Sequence, residues 1–160
     1  MELKAHPAGP GNRAVFSVEA PSLATLAEQL RVPARYFVLL VAADTRAADG
    51  PGLVAAAEAL VRSGVGYACC WGPGCERLET CFDEADIYVR GDEADGVIMT
   101  TSHVGEPLAE ALWFAVNTAW PSGEFEGAAG AVVAAAVGSP AWAAEIRAYL
   151  DAGAPTPDEA

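Results

Sequence analysis

Lysine is almost missing from this chain: Lys4 is the only one, and the remaining basic residues are arginines. Because Lys4 lies in a segment that reads as a leader, no lysine is left in a folded core. That excludes a phosphate-loop lysine, a Schiff-base amine and a receiver-type lysine. Positive charge is scarce altogether, with 9 basic residues against 22 acidic ones and a net charge of −13. Such a surface repels phosphate backbones and anionic bilayers, so nucleic acid and membrane are poor partners. Aromatic residues are few, at 8%, and alanine and valine supply much of the 52% hydrophobic content. That composition favours tightly packed small-residue layers over disorder. Long apolar runs are also missing. The longest, Ala128 to Val137 with Gly130 inside, is about half of the ~20 residues that span a membrane. The start, Met1-Glu2-Leu3-Lys4-Ala5-His6-Pro7, lacks the apolar core of a signal peptide. A cytoplasmic protein is expected, and its four cysteines then read as free thiols rather than a disulfide framework.

What is present is regular. The 160 residues suit one domain with a real core. Residues 1–13, with Pro7, Gly9, Pro10 and Gly11, read as a flexible leader, 14–153 as one α/β domain, and 154–160 as a disordered tail. Val15 to Val18 suggests a short edge strand, and Ser22 caps a helix carrying Leu23, Leu26, Ala27 and Leu30. Tyr36 to Ala43 is a continuous apolar run, the mark of a strand buried on both faces. Pro51 opens a helix that Gly64 closes, and Val65 to Cys70 makes the next strand. Pro73 opens another helix, which either runs to Arg90 or gives way to extended chain at Ile87-Tyr88-Val89. Asp95-Gly96 turns into a strand over Val97–Thr101, Pro107 starts a helix reaching about Trp120, and Ala131 to Val137 forms a further strand. Ser139-Pro140 then starts a last helix, ended by Gly153. Strand and helix alternating four times imply a three-layer sandwich, a mainly parallel sheet of four or five strands with helices on both faces.

In such a sheet ligands collect beyond the carboxyl ends of the strands. Those ends bear Asp44, then Cys70 and Trp71, then Thr101, Ser102 and His103. Cys75 is the sharpest candidate, because a helix's first turn favours a thiolate. His103, at the end of the next strand, is the candidate base or ion-pair partner for it. The plainer reading makes Cys75 a small buried residue packed under Trp71, with Glu76 raising its pKa. His103 likewise suits a turn or capping role. Cys70 and Cys75 are too far apart in sequence for the redox motif that follows a strand and precedes a helix. Adjacent strand cysteines point to opposite faces, and without paired C-x2-C spacing no metal is expected. No cofactor is expected either. Each glycine-rich turn carries a proline that removes an amide donor, and Asp49 and Glu76 repel an anion, although Arg46 and Arg77 offer some compensation. Asp44 and Asp49 read as a turn acid and a helix-cap acid before they read as magnesium ligands.

The helix after Pro107 is apolar almost all round, with Leu108, Leu112, Ala115 and Ala119 on one stripe and Trp113, Val116 and Trp120 on another. Trp113 and Trp120 read as core residues under the N-terminal segment, with a homodimer through this helix as the alternative. Asn117, the polar residue in that face, is a candidate for lining the crevice. Between Glu76 and Asp95 stand eight acids, which read as a solvated face.

Three ordered motifs carry a likeness. They are Trp71-Gly72-Pro73-x-Cys75-Glu76-Arg77, Val97-Ile98-Met99-Thr100-Thr101-x-His103, and Glu110-Ala111-Leu112-Trp113-Phe114-x-x-Asn117. Over residues 36–121 the chain resembles a small bacterial α/β domain family of unknown function. The resemblance implies a Rossmann-like or flavodoxin-like sandwich in a cytoplasmic bacterial protein, and supplies no reaction. The leading expectation is a module binding a small molecule or a protein, its crevice lined by Asp44, Trp71, Cys75, Thr101 and His103. The alternative is an enzyme with Cys75 as nucleophile and His103 as base.

Overall fold

The computed structural model describes residues 1–91, 96–125 and 127–157. Asp92, Glu93 and Asp95 of the acidic stretch, and the last three positions of the tail, lie outside the described residues. The elements in chain order are β1 (Lys4–His6), β2 (Ala14–Ala20), α1 (Leu23–Gln29), β3 (Tyr36–Ala42), α2 (Gly50–Ser63), β4 (Val65–Trp71), α3 (Cys75–Arg90), β5 (Met99–Ser102), α4 (Leu108–Asn117), β6 (Ala129–Val137) and α5 (Pro140–Asp151). They form an α/β fold around one sheet in the order β1-β2-β6-β3-β4-β5. Every neighbouring pair is parallel except β1 with β2.

Local chemistry sets the helix ends. Ser22 Oγ accepts from the Thr25 amide, Asp49 from the Gly52 amide, and Ser139 Oγ from the Trp142 amide, so three helices start on side-chain caps. Asp49 is therefore the helix-cap acid. α2 stops at Gly64, whose φ of 119° is left-handed. α3 stays helical to Arg90, because Arg90 Nη1 reaches back to Asp86 at 2.5 Å, one turn away.

The period of 2 in β3 divides the core. Phe37, Leu39 and Val41 pack with Leu26, Leu53, Leu60, Leu78 and Phe82 of α1, α2 and α3. Val38, Leu40 and Ala42 pack with Leu112, Ala115, Ile146 and Leu150 of α4 and α5. Every β3 residue from Phe37 to Ala42 is buried, as a central strand covered on both faces must be. Among the described residues no helix is long and apolar enough to cross a membrane.

The sheet has six strands rather than four or five, and the difference lies at the N-terminus. Lys4–His6 pairs with Val15–Ser17. Lys4 Nζ contacts Asp151 Oδ2 at 2.8 Å, while His6 joins Asp151 Oδ1 and Ser17 Oγ, each at 2.7 Å. Three polar contacts thus seat a strand too short to show alternation in sequence. β2 is consequently an interior strand, not an edge. Arg13, in the span read as a leader, is 4% exposed. Its Nη1 and Nη2 donate to the Ala119 and Val116 carbonyls at 2.9 and 2.7 Å, closing the C-terminal end of α4. At the other terminus Ala154 is buried and the Tyr149 hydroxyl donates to the Pro155 carbonyl.

Candidate functional site

The topology itself opens a crevice. β4 leads into α3 on one face of the sheet, whereas its neighbour β5 leads into α4 on the other. Where adjacent parallel strands send their helices to opposite faces, a gap forms beyond the strand ends. Here it is a cavity of about 420 Å³. Trp71, Cys75 and Glu76 line it from the β4 side, His103 to Glu106 from the β5 side, and Trp142 from α5.

The β4–α3 turn is built to close tolerances. Gly72 has φ 111°, and a Cβ there would lie 2.2 Å from the Ala43 carbonyl oxygen. Only glycine fits both the angle and the space. Thr45, 1% exposed, holds the turn from outside, its hydroxyl donating to the Gly74 carbonyl at 2.6 Å and its amide to the Pro73 carbonyl at 2.9 Å. Arg77 donates to the Thr45 and Ala48 carbonyls at 2.6 and 3.0 Å. The two arginines read as compensating cations for an anion are thus both engaged elsewhere, Arg77 on these carbonyls and Arg46 on Asp44.

The wall opposite is the loop after β5. The His103 amide donates to the Cys70 carbonyl at 2.9 Å, extending the β4–β5 pairing by one residue. Its ring is buried; Nε2 lies 2.9 Å from Thr101 Oγ1 and Nδ1 2.9 Å from Glu106 Oε2. With the Glu106 carboxylate accepting, Nδ1 is the donor, and in the neutral ring Nε2 accepts from the Thr101 hydroxyl. Thr101 also acts on Tyr67 and Cys69, lowering the pKa of each against the effect of burial. Trp71 Nε1 donates to the Glu106 carbonyl at 2.8 Å. The loop is therefore held through both its side chain and its backbone.

Cys75 and His103 line the same cavity. Both ring nitrogens have other partners, and His103 acts on Cys75 through its backbone amide. Burial pushes the Cys75 thiol above its ordinary pKa, and Glu76 adds to the effect against that amide. The first-turn position does not offset the effect of burial. Cys70, placed among the ligand-lining residues, is fully buried against α3, and burial holds its thiol far up. Cys69 is pushed up to about 12 by the same cause. All four thiols are free.

Other sequence candidates are dispersed. Asp44 stands outside the cavity, paired through both carboxylate oxygens with Arg46 at 3.0 and 2.7 Å, and those hydrogen bonds lower its pKa. Thr101 and Ser102 line a different cavity of about 520 Å³, shared with Trp113 and Phe114 of α4. Asn117 belongs to the opposite end of the sheet. α4 runs against the strands, so its last residue sits by their amino ends, where Asn117 Nδ2 donates to the Trp113 carbonyl. Trp120, read as core, is 48% exposed and stacks on the Arg13 guanidinium at 3.8 Å. Trp113 is half-buried.

Two of the lining side chains left unmarked in the sequence stand out. Trp142 meets Trp71 edge-on, with centroids 5.1 Å apart and planes at 84°. Its signal was its place in the first turn after Ser139-Pro140, beyond the carboxyl end of β6. Glu106 is the second. Glu76 and Glu106 supply the carboxylates of the lining, which holds no lysine or arginine among the described residues. Among the described residues no group of three or more His, Cys, Asp or Glu side chains is placed to hold a metal ion.

A family model described as a domain of unknown function (DUF7684) matches residues 15–152. That span extends beyond the motif-bearing 36–121 to take in β2, β6 and α5. No curated protein and no solved structure matches.

Proposed function

This chain belongs to that family of domains of unknown function, and on this premise we propose that it is a binding module whose β4/β5 crevice takes a small organic molecule bearing a positive charge. The observation that carries the reading is the lining. Trp71 and Trp142 present aromatic surface, Glu76 and Glu106 supply carboxylates, and no cation competes. Aromatic faces and carboxylates both favour an organic ammonium or amidinium group. A volume of about 420 Å³ falls in the ordinary range for a small-molecule pocket. The architecture belongs to the same reading: a Rossmann-like three-layer sandwich in a bacterial cytoplasmic protein, with the ligand at a topological switch point. The cysteine-enzyme alternative is disfavoured by the raised Cys75 pKa and by the engaged His103 ring.

A thermal-shift screen of small cations, neutral molecules and anions of matched size tests this. A ligand at about 100 times its Kd stabilises by ~2.7 kcal/mol, which at this length raises Tm by roughly 5–10 °C. Cations should raise the Tm of the wild type and have little effect on Trp142→Ala. Anions stabilising equally well, or an undiminished response in Trp142→Ala, would sink the proposal.

A further inference from the structure

Six strands are covered unequally on the two faces of the sheet. Three helices pack on one face, and α3 reaches β5 there. On the other face α4 lies over β3, β4 and β6, and α5 over β2 and β6. Apolar residues at this edge are left open, with Met99 of β5 38% exposed and Val97, two residues before the strand, 56% exposed. β5 is also the last strand of the sheet, so one edge of its backbone has no strand partner among the described residues. Between this strand and α4 runs the cavity of about 520 Å³, walled by half-buried Trp113 and Phe114 and, at the C-terminal segment, by Thr156 and Pro157. On the opposite side of the same edge Ile87 is 65% exposed, one turn beyond Asp83, whose carboxylate accepts from Thr100 of β5.

Natural sheet edges are usually guarded by a lysine, a proline, a bulge or a covering element. Met99-Thr100-Thr101-Ser102 carries neither lysine nor proline, and its register with β4 is unbroken. Its protection against self-pairing is electrostatic, since a second copy would bring another net charge of −13. The lining tells the same story: Glu106 and Glu110 line the cavity and no arginine or lysine does.

We infer that the β5 edge and the β5/α4 groove form a docking site for an extended segment of a partner protein that alternates large apolar side chains with arginine or lysine. Such a segment adds a strand beside Met99–Ser102. Main-chain hydrogen bonds supply affinity, and alternate side chains supply specificity. Apolar side chains enter the cavity against Trp113 and Phe114, while cationic ones meet Glu106 and Glu110. The inference stands on a cavity separate from the crevice, although the His103–Glu106 pair walls both.

Selection of a displayed library of random decapeptides against the full chain tests it, followed by amide hydrogen exchange with synthesised hits. Enriched peptides should alternate apolar and basic residues and slow exchange at Met99–Ser102. They should bind Trp113→Ala and Glu110→Lys at least ten-fold more weakly than wild type, with both variants checked for folding by their melting curves. Enrichment of acidic peptides, or no enrichment, overturns the inference. So does protection confined to the Trp71–Gly74 turn. A concentration-dependent dimer that protects the β5 amides without peptide would overturn it in favour of a second copy.

Discussion

Replacing Arg13 tests whether the N-terminal segment is part of the fold. Its guanidinium donates to two carbonyls at the end of α4, at 2.7 and 2.9 Å, and lies 3.8 Å from the Trp120 ring. A cation there also meets the negative end of the helix dipole. Hydrogen bonds to a charged donor are worth roughly 1.5–3 kcal/mol each, and the stacking about 1 kcal/mol. Against this stands the cost of burying the cation, which shows as an Arg13 pKa lowered by desolvation. Carbonyls at a helix end also regain water once the side chain is gone. Taking these together, Arg13→Ala should cost about 3 kcal/mol, near the lower end of the summed bonds. Arg13→Lys keeps the charge but not the fork, and should cost about half as much. At 2–4 °C per kcal/mol for a chain of this length, the alanine variant should melt roughly 6–12 °C lower. Denaturant titration and calorimetry give both quantities, and hydrogen exchange at residues 114–120 gives the local effect. If Ala and Lys variants both lie within about 1 kcal/mol of wild type, the capping account is wrong.

Gly72→Ala should be among the most damaging small substitutions. It puts a Cβ 2.2 Å from the Ala43 oxygen at a left-handed φ, at a cost of at least about 3 kcal/mol; a melting curve near wild type would contradict the turn geometry. The raised Cys75 pKa leaves less thiolate at neutral pH than in a free cysteine. Iodoacetamide modification, followed by mass spectrometry, should therefore be slow at pH 7 and accelerate only above about pH 8.5; rapid labelling at pH 7 would restore the nucleophile reading. Asp151 has a lowered pKa, first from its hydrogen bond to Lys4 and then from that to His6. A depressed carboxylate contributes stability that is complete above its unfolded pKa of about 3.9 and lost as pH falls through the folded value. The amide signals of Lys4–His6 should thus change below about pH 4 in wild type, and Asp151→Asn should lose that transition; identical acid profiles for the two proteins would show that Asp151 does not hold β1.

Much of the scaffold was legible because its signals are local. Tyr36–Ala43 reads as a central strand, since burial on both faces removes the polar alternation of a half-exposed one. Ser22, Pro51, Gly64 and Ser139 mark helix ends through bonds made within three or four residues. What stayed hidden depends on distance along the chain. β6 inserts between β2 and β3, which no local pattern announces, and only that insertion brings Trp142 to Trp71. Asn117 was misplaced because its position depends on the direction of α4. Ten residues at ~1.5 Å each put it about 15 Å from the strand ends that begin the helix. The partners of the His103 ring depend on nearer neighbours. Thr101 and Glu106 lie two and three residues from His103, and such close neighbours take both ring nitrogens. That T-x-H-x-x-E spacing was readable and pointed to a braced loop.

The central claim places ligand binding at the β4/β5 crevice, and the four tryptophans report on it separately. In a ¹⁵N-labelled sample the indole N–H signals of Trp71 and Trp142 should move and saturate as a small organic cation is titrated, while those of Trp113 and Trp120 stay in place. No saturable shift with any cation, or a shift confined to Trp113 and Trp120, would contradict the account.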